Sequence, residues 1–171
     1  MTVDTPQLLA RYNAHANREM NKILASLSPA DWNRDLGGYY SSFRTLVGHL
    51  YTVDVAWLNR FTGLRPFQAI RGDVFDFPPT AGQPPFEGFP EYQERRTALD
   101  ATLVAFVAEL TPADLSSELS YRNFRGEEIT KNFGDLVLHL FNHQTHHRGM
   151  VALYLDQLDI PNDFASLTAL V

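Results

Sequence analysis

Four stretches of about twenty residues repeat apolar side chains every three or four positions, the spacing of one face of an α-helix. They predict helices over residues 6–27, 42–62, 90–110 and 132–158. Helices of this length bury their apolar faces most simply against one another. The pattern therefore predicts an all-α fold, a four-helix bundle built by residues 1–171 as a single domain.

The connections between these helices have compositions of their own. Residues 63–90 hold six of the ten prolines, which block helix formation, so we expect a long Pro-rich crossover loop between the second and third helices. Its several phenylalanines indicate that this loop packs on the body of the protein. Residues 119–130, around the sequence Asn123–Gly126, predict a short β-hairpin before the fourth helix.

Two pairs of short segments resemble each other along the chain. The sequence Leu27–Trp32 resembles Leu110–Leu115, and Phe43–Leu50 resembles Phe133–Leu140. Both pairs follow the order helix, turn, helix. Duplication of a helical hairpin is one hypothesis and chance is the other, and the bundle depends on neither.

Composition excludes several classes of protein. Fourteen basic against twenty acidic residues leave a formal charge of −6, which argues against general nucleic-acid binding. The chain has no cysteine, so it has no disulfide, no thiolate metal ligand and no thiol nucleophile of its own. No apolar run is long enough to span a membrane, and no signal peptide is recognisable at the start, so a cytoplasmic location is expected.

Four of the six histidines lie between positions 139 and 147. His143 and His147 are one helical turn apart on the apolar stripe of the fourth helix, where two imidazoles can hold the same metal ion. His49 lies on the apolar stripe of the second helix and is the natural third ligand. We therefore predict a divalent metal on these three residues, with water completing the shell. The alternative is a hydrogen-bonded polar core without metal.

Other side chains on the same faces are candidates for the surroundings of this site. His139 and His146 are each a second-layer donor, an alternative ligand or a solvated side chain, and a second-layer or surface position is favoured for both. His15 should point inward, either as a fourth nitrogen near the site or as a histidine at the edge of the core. Met150 lies on the stripe that faces the metal, and Tyr154 is expected to line the pocket.

Two charged residues near these positions favour structural roles. Asp54 is about 140° around its helix from His49, so an ion pair with an arginine, either on the helix surface or between helices, is expected. Arg148 faces away from the histidine stripe and is expected in a salt bridge or a dimer contact. No general base and no other catalytic residue can be identified.

The segment Asn142–Gly149 is similar to the N-H-x-x-H-H-R-G segment of the DinB/YfiT-like superfamily. His49–Leu58 resembles the H-x4-D-x2-W-L pattern of that superfamily, and Tyr12-Asn13 and Pro161–Phe164 also fit. The resemblance implies an up-down-down-up four-helix bundle, commonly a homodimer, with zinc or nickel on three histidines. These correspond to His49, His143 and His147. The chain departs from the family by having His15 in place of a tryptophan and Met150 in place of a glutamine.

Relatives in this superfamily include low-molecular-weight-thiol S-transferases and a thiol-dependent maleylpyruvate isomerase. The resemblance therefore implies a metal-dependent transferase or hydrolase, in which a small thiol or water attacks a small electrophilic substrate. The alternative is a non-catalytic stress protein that binds a metal or a small ligand. Whether anions or thiols exchange at an open metal position would distinguish the two.

Overall fold

The computed structural model describes residues 1–70 and 86–170, and the greater part of the predicted crossover loop lies outside them. The described chain is mostly helical, with one small sheet. The four long helices are α1 (Asp4–Leu24), α3 (Phe43–Phe61), α4 (Phe89–Ala108) and α6 (Phe133–Asp156). The shorter elements are α2 (Pro29–Asn33), α5 (Pro112–Ser116), β1 (Glu118–Arg122), β2 (Glu128–Asn132) and a final 3₁₀ helix (Leu167–Leu170).

The first helix ends three residues earlier than predicted, and the turns expected after the first and third helices are short helices instead. Ser28 caps α2 and Thr111 caps α5, each accepting a hydrogen bond from the backbone N–H three residues later. A proline at the first helical position follows each cap, where its missing N–H costs no hydrogen bond. The similar segments Leu27–Trp32 and Leu110–Leu115 therefore form the same local structure.

The predicted hairpin is confirmed. Strand β1 pairs antiparallel with β2, with Leu119 opposite Lys131 and Tyr121 opposite Ile129. Gly126 supplies a φ of 80° at the turn, a conformation that side chains disfavour. Leu119 is the one buried residue of the two strands and anchors the hairpin to the helices.

Each long helix packs against two others: α1 contacts α4 and α6, and α3 contacts the same two. Aromatic rings fill one end of the core, where Phe61 and Phe106 stack at 5.5 Å and Phe133 packs edge-on against Phe61 at 5.1 Å. Phe67 and Phe86, from the described ends of the crossover loop, are buried, so these ends pack on the body as expected. Among the described residues no helix is long and apolar enough to cross a bilayer.

A buried ion-pair network joins the long helices near the middle of the structure. Arg96 of α4 is 1% exposed and donates to Asp54 of α3 at 2.7 Å and to Asp100 at 2.6 Å. Asn17 of α1 donates to the same Asp100 carboxylate at 2.9 Å. The predicted ion pair of Asp54 with an arginine is thus confirmed. Its partner Arg96 lies on α4, whereas His49 of the same helix as Asp54 faces α6.

Helix α6 joins this network through two side chains. The Gln144 amide donates to Asp54, and the Arg148 guanidinium donates to Asn13 of α1. The expectation of a salt bridge or dimer contact for Arg148 is wrong. Its side chain is 2% exposed and donates to oxygens of Asn13, Asn17 and Thr145, so it is out of reach of a second copy.

The segment between α2 and α3 is pinned to α6 by a close approach. Gly37 has a φ of +78°, which turns the chain, and Gly38 follows against the side chain of Tyr154. A Cβ on Gly38 would lie 1.9 Å from the Tyr154 hydroxyl oxygen, so only glycine fits. The same hydroxyl donates to the carbonyl oxygen of Tyr40. Tyr154 thereby holds residues 38–40 in place.

We expect Arg96→Met to destabilise the protein by about 3–5 kcal/mol, because it leaves two buried carboxylates without their cation. The free energy of unfolding, measured by urea denaturation, checks this. Lys22→Met is the matched control, since Lys22 pairs with Glu19 on the surface and its loss should hardly move the urea midpoint. An Arg96→Met variant as stable as the wild type would contradict the importance of the network.

We expect Gly38→Ala to destabilise the protein by about 1–3 kcal/mol, since the new methyl group overlaps the Tyr154 hydroxyl. In a Tyr154→Phe background the same change should cost at least about 1 kcal/mol less, because the overlapping atom is gone. The double-mutant cycle is measured by thermal and urea unfolding. Gly149→Ala is the control, since a Cβ there meets no atom within 4 Å. Equal costs in both backgrounds would show that the contact with Tyr154 does not matter.

Candidate metal centre

The structure brings His49, His143 and His147 together from two helices. His143 and His147 lie one turn apart on α6, and His49 faces them from α3. The Nε2 atoms of His49 and His143 are 3.1 Å apart, and one ring nitrogen from each of the three lies within 4.8 Å of the others. This separation allows a single ion to contact all three nitrogens.

The three imidazoles are neutral over a wide pH range. Burial lowers the pKa of His49, His143 and His147 to about 4 each, and the neighbouring imidazoles add to the effect because adjacent positive charges repel. The rings therefore keep their nitrogen lone pairs at neutral pH. A neutral imidazole is the form of histidine that binds a metal.

The hydrogen bonding of the cluster tests whether it fits a metal. Three neutral rings carry three N–H donors and three acceptor nitrogens. The described residues satisfy few of them: His49 and His143 share one hydrogen bond, and the buried Nδ1 atoms of His143 and His147 have no partner. A hydrogen-bonded polar core would leave these atoms unsatisfied at a cost. Three convergent imidazole nitrogens fit zinc or nickel, which both accept such ligands.

Tyr40 forms one wall of the cluster, and sequence reasoning missed it. Its ring stacks on His49 with centroids 4.3 Å apart and meets His147 edge-on at 5.4 Å. The side chain is half-buried, and burial raises the pKa of its hydroxyl. A pair of tyrosines that follows two glycines shortly before a helix is the only signal in the sequence, since the approach of Tyr40 to His49 depends on the path of the chain.

The other predicted residues lie at varying distances from the cluster. His139 is exposed and packs on Trp57, 6.2 Å from the ring of His143, and the exposed ring of His146 lies 4.7 Å from that of His147. Both side chains therefore lie at the surface beside the cluster.

Three further residues are predicted to lie toward the interior of the pocket. The structure does not bring His15 into the ligand group, because its Nδ1 lies 2.8 Å from the Arg18 guanidinium on α1. Tyr154 is buried, with its hydroxyl on the Tyr40 carbonyl, so it supports Tyr40 from behind. Met150 is half-buried and packs against the hydrophobic core.

Gln144 is a second residue that sequence reasoning missed. It follows His143 directly and its amide bonds Asp54, five residues after His49. This hydrogen bond sets the rotation of α6 relative to α3. It therefore holds His143 and His147 opposite His49, without a contact to the imidazoles themselves.

The chemistry available here follows from the donor set. Within the part of the chain that the structure describes, the ligand group contains three neutral nitrogens and no carboxylate. A divalent cation held in this way keeps its full positive charge. Three protein ligands would leave a coordination position open, as catalytic rather than structural zinc sites do.

Comparisons with known proteins agree with this architecture. Protein DinB of Bacillus subtilis (strain 168) is 22% identical over 151 residues, covering 87% of this chain and 83% of that protein. The crystal structure of a DinB-like protein from Bacillus cereus ATCC 10987 matches with a TM-score of 0.53 at 22% identity, over 87% of this chain and 91% of that one, which shows a shared fold. The model of the DinB family matches residues 1–160. The protein described here therefore belongs to the DinB family.

Proposed function

We propose that the protein binds one zinc or nickel ion through His49, His143 and His147 and is a metal-dependent enzyme. The observation that carries the proposal is the convergence of three neutral imidazoles, in which the buried Nδ1 atoms of His143 and His147 have no hydrogen-bond partner among the described residues. The reaction is attack by a low-molecular-weight thiol or by water on a small electrophilic substrate, of the transferase or hydrolase type. When bound, the ion supplies positive charge that favours the deprotonated form of a thiol or water.

Other side chains of the protein orient the proposed ligands and cover one side of them. Gln144 and Asp54 orient the two ligand-bearing helices, and the Tyr40 ring covers one side of His49. The protein contains no cysteine, so a thiol nucleophile has to come from a small molecule. The choice of a thiol follows from the resemblance to thiol-dependent relatives.

Family membership supports further parts of the proposal. The four long helices form an up-down-down-up bundle, two copies of the chain form a homodimer, and the protein acts in the cytoplasm on a small molecule. Nucleic acid and membrane are not among its partners. The acidic composition of the chain supports the exclusion of nucleic acid.

A non-catalytic stress protein that binds a metal or a small ligand is the second candidate. Among the described residues, no carboxylate belongs to the ligand group and only other imidazoles act electrostatically on the three histidines, so no carboxylate stands ready as a general base. The two candidates differ at the metal coordination position that the three histidines leave open. Displacement of a water from this position by small thiols, in a cobalt-substituted sample, favours the enzyme. A position at which thiols do not exchange favours the binding protein.

We expect wild-type protein purified without a tag to retain about one equivalent of zinc or nickel, and His143→Ala less than about a tenth of that, since two imidazoles alone hold a metal weakly. Metal content is measured by plasma mass spectrometry after incubation with each metal and desalting.

His146→Ala is the matched control for this experiment. It removes an exposed histidine from the same helix, three residues away, and should keep about one equivalent. Equal metal in His143→Ala and the wild type, or no metal in the wild type, would overturn the proposed site.

We also expect the affinity for zinc to change by less than about twofold between pH 7.5 and 6.0. The pKa of each ligand is about 4 in the metal-free protein, so protons do not compete in this range and begin to do so only as the pH falls toward 4. Three histidines of ordinary pKa near 6.5 would lose about fiftyfold in affinity over the same interval. Competition with a chelator, corrected for its own protonation, measures the Kd. A loss near fiftyfold would contradict the buried, neutral triad.

A further inference from the structure

Arg60 lies on the same side of α3 as His49. The two residues are eleven positions apart, which is three helical turns, roughly 20° around the axis and about 16 Å along it. The guanidinium therefore faces the same surface as the histidine cluster, at the end of α3 nearest the hairpin.

Three aromatic rings hold the Arg60 guanidinium. Its Cζ atom lies 4.8 Å from the centre of the Trp57 ring, 5.4 Å from that of Tyr121 and 4.6 Å from that of Phe124. Trp57 is buried, whereas Phe124, at the tip of the hairpin, is 78% exposed. Stacking of this kind uses the face of the guanidinium and leaves its N–H edge available.

That edge has no partner in the described part of the chain. The ion pairs found there belong to other cations, and neither a carboxylate nor a hydrogen-bond acceptor contacts Arg60. Burial lowers the pKa of Arg60, and among the described residues Tyr121 is the only ionisable group that acts in the opposite direction. A half-buried guanidinium with unused donors is suited to bind a carboxylate or phosphate with two parallel hydrogen bonds.

Ring contacts connect Arg60 to the histidine cluster. Trp57 packs against His139 with centroids 5.3 Å apart, and His139 lies 6.2 Å from His143. His139 is exposed, so this row of side chains follows the surface between α3 and α6. An elongated molecule could therefore contact the cluster with one end and Arg60 with the other.

We propose that Arg60 is an anion-binding subsite, which takes the carboxylate or phosphate end of an elongated small molecule whose other end reaches His49, His143 and His147. This extends the proposed function and rests on it for the role of the histidines. It restricts the ligand to anionic molecules that span on the order of 10–16 Å.

A purely structural role for Arg60, tying the hairpin to α3, predicts a different result. The hairpin is already anchored by the buried Leu119 and by the contact of Tyr121 with Trp57 at 5.3 Å. A structural arginine would alter the stability of the hairpin and leave anion binding unchanged. Ligand binding by variants that remain folded therefore separates the two roles.

The first experiment uses the metal-free protein and S-methylglutathione, which has two carboxylates and a blocked sulfur. Trp57 lies under Arg60 and reports binding by its fluorescence, while the only other tryptophan, Trp32, packs against Phe89 and Tyr92. Arg60→Gln should bind the probe at least fivefold more weakly than the wild type. Equal affinity, or no binding to the wild type, would overturn the subsite.

Two more variants keep this experiment decisive. Arg125→Gln removes the same charge from the exposed tip of the same hairpin and should bind like the wild type. Arg60→Lys keeps the charge but loses the planar fork, so it should also bind more weakly; it replaces Arg60→Gln if that variant does not fold. Circular dichroism checks the fold of each. Weakening by Arg125→Gln equal to that by Arg60→Gln would indicate general charge attraction and overturn the subsite.

The second experiment uses zinc-loaded protein and separates this inference from the proposed function. Reduced glutathione should bind at least tenfold more tightly than 2-mercaptoethanol, and Arg60→Gln should abolish that preference without changing zinc content. Failure to bind zinc would refute the metal site, while the titration of the metal-free protein would still test anion binding by Arg60. Competition by inorganic phosphate and by acetate against the peptide probe distinguishes a phosphate from a carboxylate as the group that Arg60 binds. Stronger competition by phosphate than by acetate identifies a phosphate subsite.

Discussion

The structure depends on a guanidinium that has been removed from water. Arg96 lies between Asp54 and Asp100, and all three side chains are at most 9% exposed. Charges buried in this way are tolerated only if every partner is in place, because an unpaired buried charge costs several kcal/mol. Asparagines from α1 and a glutamine from α6 complete the network. The network therefore restricts how the four long helices pack against one another, since a shift of any helix would separate these groups.

The candidate metal centre uses this arrangement. Asp54 and His49 lie on different sides of α3, so the same helix carries an ion pair toward α4 and an imidazole toward α6. Gln144 and His143 are neighbours on α6, and both contact α3: Gln144 donates to Asp54, and His143 lies against His49. The apolar core alone would permit small rotations of a helix, but hydrogen bonds of fixed length do not. The polar network therefore supplies the accuracy that three ligands on two helices require.

Around this centre the chain adds side chains from connecting segments. Tyr40 comes from the segment before α3, held against α6 by Tyr154, and the hairpin contributes Tyr121 and Phe124 beside Arg60. The long helices thus carry the candidate ligands, while the connections shape what can approach them. This division is common where a rigid scaffold presents variable loops.

Much of this could be predicted from local patterns. The apolar periodicity located the four long helices to within a few residues, and the spacing of His143 and His147 placed both on one face, because helical geometry follows from neighbouring residues alone. Asn123 and Gly126 marked the hairpin for the same reason. Only the tertiary structure decided that Tyr40 stacks on His49, that His15 stays apart, and that Arg148 meets an asparagine instead of a carboxylate. These contacts join residues far apart in sequence, and they depend on how whole helices rotate and pack, which no local pattern records.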